Sequence, residues 1–196
     1  MIQMEEMKMK KMLSMLLAVM MCFSMSACSN SSTNEGNDTI QVKESVEILN
    51  KIWETYKEDE KFSSTGGNLD EAMNEGPGKL SMENTDILQN VLYLPADCTE
   101  FVDDAASLIH MMNANTFTGS VFHVKDGNME KLSSAMKENI MNTQWVCGFP
   151  DLLIMANVGD YLVTAFGNEE IITNFKTKLL EVYSSAEILF EENLNQ

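Results

Sequence analysis

Arginine is absent from this 196-residue chain: all 13 basic residues are lysine, set against 30 acids, for a net charge of −17. Arginine is the usual fork for planar, bidentate recognition of phosphate and carboxylate. Its absence, with so acidic a balance, excludes the basic footprint that nucleic acid requires. It also argues against a domain that grips anionic lipid with its own side chains. Calcium loops of the D-x-[DN]-x-[DN]-G type are missing, so the acidity reads as solubility rather than ion binding. No C-x-x-C pair occurs among the four cysteines, which removes zinc ribbons and thioredoxin-like redox motifs. No G-x-S-x-G elbow, H-E-x-x-H pair or phosphate loop is present. Only two histidines exist, His110 and His123. With Cys147 they match no zinc spacing, so neither a metal nor a cofactor is expected.

Long hydrophobic runs are also missing. Residues 12–25, MLSMLLAVMMCFSM, are uncharged and mostly apolar. They number about 14, short of the roughly 20 that a spanning helix needs. Lys8, Lys10 and Lys11 precede them and small residues close them. That sequence of parts describes a secretory signal. Ser24-Met25-Ser26 or Ser26-Ala27-Cys28 would suit an ordinary signal peptidase. Met25-Ser26-Ala27-Cys28 resembles the lipobox of bacterial lipoproteins, with Met where Leu is commoner. On that reading the Cys28 thiol accepts a diacylglycerol group, and cleavage before it frees an amine for a palmitate-type acyl chain. Two or more chains, at about 0.8 kcal/mol per buried CH₂, hold where one would not.

The residues after Cys28 suit a tether: SNSSTNEGNDT contains no core-forming residue. The expected organisation is a signal peptide over 1–27, a flexible tether over 28–40 and one domain over 41–196. Cys22 would leave with the leader. Cys98 and Cys147 then remain, either as a disulfide, which an extracytoplasmic setting permits, or as two separate buried thiols.

Periodicity organises the rest. Val42, Val46, Leu49, Trp53 and Tyr56 predict an amphipathic helix over 41–57. Residues 58–80, acidic and Gly-rich, predict a long loop with a helical turn near Leu69–Met73. Residues 84–93 predict a short helix ending before Pro95. Asp97 and Glu100 resemble a capping box, and Phe101, Ala105, Leu108, Ile109 and Met112 then predict a helix over 98–112. SVFHVK predicts a strand, 129–142 a helix, and DLLIMAN and DYLVTAF an antiparallel hairpin around Val158-Gly159. Asn168 caps a helix lined by Ile172, Phe175, Leu179 and Val182. EILFEEN closes the chain as an edge strand or a frayed tail. The fold class is α+β: a small, mainly antiparallel sheet with helices on one face, preceded by an N-terminal helix.

The run from Val121 to Tyr183 carries a strand ending in Lys125-Asp126-Gly127, a helix, a Trp- and Pro-containing connector, a hairpin through Gly159-Asp160-Tyr161 and a closing helix. It resembles a domain of unknown function found in small lipoproteins of clostridial-type Gram-positive anaerobes. The leader and first helix fit the same layout. The resemblance implies an extracytoplasmic, membrane-anchored location and this fold, and no activity.

Candidate chemistry is sparse. HMMNANTF, residues 110–117, sets Asn113, Asn115 and Phe117 at a turn, where side-chain amides can hold a sugar or peptide or else satisfy the backbone. Met111 and Met112 are expected in the core. The expected function is a non-catalytic binding or interaction module for a protein or small ligand, held to the membrane through the Cys28 lipid. The alternatives are a cell-envelope enzyme using Cys147 and His123, or a small-solute-binding component of a transporter.

Overall fold

Residues 42–68 and 75–194 are described in a computed structural model of the chain, all within one compact unit, Asp38–Gln196. The expected signal peptide, Cys28, the whole tether and the expected turn near Leu69–Met73 lie outside the described residues. The elements, in order, are α1 (Ser45–Glu54), β1 (Ser64–Thr65), β2 (Gly78–Leu80), α2 (Thr85–Asn90), β3 (Val102–His110) and β4 (Phe117–Val124). Next come α3 (Met129–Met141), β5 (Leu152–Val158), β6 (Tyr161–Gly167), α4 (Glu169–Val182) and β7 (Glu187–Asn193).

Seven strands form one sheet in the order β1-β3-β4-β6-β5-β7, with β2 beside β1 on β3, and every pairing is antiparallel. This is the expected α+β class. Strand alternation explains why the helices cover both faces rather than the one expected. Along β5, Leu152, Ile154 and Ala156 point to one core, and Leu153 and Met155 to the other. β6 repeats this, with Val163 and Ala165 opposed to Leu162 and Phe166. Both faces are apolar, so both need a cover. α1, through Ile48, Leu49 and Ile52, and α4, through Ile172, Phe175 and Leu179, close the first. α2, the 3₁₀ turn Ala96–Phe101 and α3, through Leu132, Met136 and Ile140, close the second. On the second face, Ser120 and Thr164 stand side by side across β4 and β6, their hydroxyls 2.6 Å apart.

Residues 98–112 are not a helix. Asp97 and Glu100 lie in the 3₁₀ turn, and β3 comes directly after it. Ala106 and Leu108 serve the first core, and Val102, Ala105 and Ile109 the second. A strand buried on both faces shows no alternation, and its apolar residues then fit helical spacing equally well. The loop over 58–80 also contributes structure, since β1 and β2 cover the outer edge of β3. Gly66 lets these backbones approach: a Cβ there would lie 2.2 Å from the Ser107 carbonyl oxygen. The next amide, Gly67 N–H, donates to the buried Ser107 hydroxyl at 2.9 Å. Asn168 occupies the cap position of α4 without a side-chain bond. Instead the Glu169 amide donates to Asp151 Oδ2 at 3.2 Å, which places a carboxylate at the positive end of the helix.

Candidate functional site

The turn and the connector that the sequence singles out meet at one end of the sheet. Asn113 accepts from the Asn115 amide at 2.9 Å, closing the turn on itself. Its Nδ2 donates to the Cys147 carbonyl at 2.8 Å. Asn115 Nδ2 donates to the carbonyls of Gly148, at 3.0 Å, and Val146, at 3.3 Å. Cys147 and Gly148 sit in left-handed backbone, at φ 61° and 135°, and a Cβ on Gly148 would approach Asn113 Nδ2 to 2.8 Å. The two amides therefore clasp the connector, which occupies their donors. Phe117 is fully buried in the first core, against Phe62 and Phe175. These contacts make the Asn113, Asn115 and Phe117 turn a structural clasp rather than a ligand turn.

Cys98 and Cys147 are both free thiols, so of the two alternatives the bridge is not formed, and only Cys98 is buried. Cys98 is buried beneath the second face, and burial first, then Asp97, pushes its thiol pKa up. Cys147 is exposed at the clasp. His123 lies at the other end of β4, paired with Tyr161, and its Nδ1 is 2.5 Å from Asp103 Oδ1. A bulge between Val102 and Asp104 frees Asp103 for that contact. From Phe117 to His123 is six strand steps, roughly 20 Å at about 3.3 Å each. A nucleophile and its base need hydrogen-bond reach, so Cys147 and His123 form no pair. His110 ends β3 rather than a helix. It stacks on Phe62 at 5.3 Å, and its Nδ1 accepts from the Met112 amide at 3.2 Å. Among the described residues no cluster of three or more histidines, cysteines or carboxylates is placed to hold a metal.

The surface around the clasp is apolar. Met112 is 82% exposed, Val146 74% and Phe149 69%, with Met111 and Met141 partly open. Met111 and Met112 are thus at the surface rather than in the core. The turn redirects the chain one residue past His110, beyond the end of the strand that would have buried them. From this end a trough runs along β7. One hollow of about 420 Å³ is lined by Met141, Trp145, Phe149 and Leu194. A second, of about 510 Å³, shares Met141 and adds Phe190, Lys137 and Ser134. A separate hollow of about 400 Å³ holds Trp53, Phe62, Lys61 and Glu58. There Trp53 and Phe62 pack edge to face at 5.1 Å, and Lys61 binds Glu58 at 2.8 Å. The sequence signal for the trough is modest: WVCGFP places apolar residues in a connector with no period that would bury them.

No protein-family model matches this chain, and neither a curated protein nor a solved structure matches it.

Proposed function

We propose that the chain is a membrane-anchored extracytoplasmic lipoprotein, held by a diacylglycerol group on Cys28, whose α+β domain is a non-catalytic binding module. The resemblance to small lipoproteins of Gram-positive anaerobes belongs to the same reading. One spatial observation carries the binding part. The described chain begins at Val42, whose carbonyl accepts from the Tyr161 hydroxyl at 3.1 Å. Ser45 donates its amide to Asp104 at 2.6 Å at that same end of the sheet. The exposed apolar surface of Met112, Val146 and Phe149 is at the opposite end. A domain anchored through residues ahead of Val42 can therefore turn its apolar end away from the membrane. An apolar patch on a monomer marks an interaction site more often than chance.

Cys28→Ala, expressed in a Gram-positive host, tests the anchor by fractionation. Release to the medium or accumulation of uncleaved precursor is expected. Normal processing together with continued partition into detergent would overturn the reading.

A further inference from the structure

We propose that the open edge of β7, with the trough between it and α3, receives an extended, lysine- or arginine-rich segment of a partner protein. This rests on the binding-module reading and names its site.

Three observations converge. The first is backbone. Among the described residues β7 pairs with β5 alone, along all of Glu187–Asn193, whereas the other sheet edge carries β1 and β2. Alternate N–H and C=O groups of β7 therefore face outward, as in sheets that recognise peptides by strand addition. The second is shape. An added strand would lie about 4.8 Å outside β7, and its alternate side chains would point to the α3 side. The trough formed by Phe190, Met141, Trp145, Phe149 and Leu194 lies there. The third is charge. Strand alternation sets Glu187 and Glu192, with Glu138 of α3, on the same side as the trough, beside Lys137, and sets Glu191 on the other side, beside Lys176. Both lysines are engaged, Lys176 with Glu191 at 2.7 Å and Lys137 with Glu192, the Lys137 ammonium also lying 4.5 Å over the Phe190 ring. The edge stays net negative on a chain of charge −17.

Charge also selects the occupant. Two copies of this edge, each net negative, would repel, and antiparallel self-pairing would set Glu191 and Glu192 opposite Leu189 and Ile188 rather than opposite a cation. The bulge between Met155 and Ala156, which sets Leu189 out of register, further spoils self-pairing. A basic segment meets the glutamates favourably.

The probe is a fluorescent peptide of the length of β7, lysine throughout but for one central valine, titrated against the full chain in detergent and followed by anisotropy. Saturable binding is expected. N-methylation of one alternate set of peptide nitrogens weakens it about tenfold, while methylation of the other set does little, because only one set faces β7. Glutamate in place of the peptide lysines abolishes it. Met141→Lys, on an exposed helix end, weakens it about tenfold. Asp160→Asn, at the far end of the sheet, leaves it unchanged. No saturable binding, binding indifferent to both methylated peptides, or a dimer held through β7 in sedimentation would each overturn the proposal. The peptide experiments on the unaltered chain stand even if Met141→Lys misfolds. Cys28→Ala retains peptide binding, so failure here and failure of the anchor are read separately.

Discussion

Tyr183 shows how one side chain couples this fold to pH. Burial, then Glu47 and Tyr161, pushes its pKa up to about 12. Tyr56 is raised further, again chiefly by burial, and Tyr93 and Tyr161 are raised as well. The hydroxyls of Tyr56 and Tyr183 are buried without a hydrogen-bond partner, so nothing inside would stabilise a phenolate. A raised pKa on an acid means the unfolded chain loses its proton first. Their contribution is complete below the unfolded value near 10 and declines as pH rises toward 12. Ultraviolet titration at rising pH should therefore show tyrosinate appearing late and together with loss of circular dichroism. Smooth ionisation near pH 10 with the fold intact would contradict it. The two thiols of the domain make a second test at this scale. Peptide mapping after brief native alkylation should find Cys147 modified, and Cys98 modified only after denaturation.

Among the elements, the connector from Thr143 to Pro150 depends on side chains far away in sequence. Asn115 supplies two of its hydrogen bonds and Asn113 a third. Asn115→Ala should cost about 1–3 kcal/mol in urea unfolding and speed amide exchange over 145–148. A stability unchanged within error would show that the connector holds itself. The same contact marks the limit of what sequence patterning can reveal. α3, α4 and the β5–β6 hairpin are legible because each has a short period and clear ends. β3 is not, because Ala105 and Ala106 go to different cores and erase the alternation. The NANTF turn is legible as amide-rich, but its partner lies more than 30 residues on, at Val146–Gly148. Spacing cannot reveal such pairings. The β7 trough is hidden for the same reason: α3, the connector and the last strand meet only in the fold.

At the scale of the whole molecule, the two ends of one sheet differ in surface. Val42 and Ser45 lie at one end, among Asp103, Asp104 and Asp160. The other end exposes Val146 and Phe149 and opens onto β7. A net charge of −17 over the whole chain disfavours contact with anionic lipid. On the proposed reading, attachment falls to a covalent lipid on Cys28, outside the sheet. The most direct measurement is the intact mass and N-terminal peptide of the mature protein extracted from membranes. The account predicts Cys28 as the first residue, carrying a thioether-linked diacylglyceryl group. A mature N-terminus elsewhere, with the Cys28 thiol free, would contradict it.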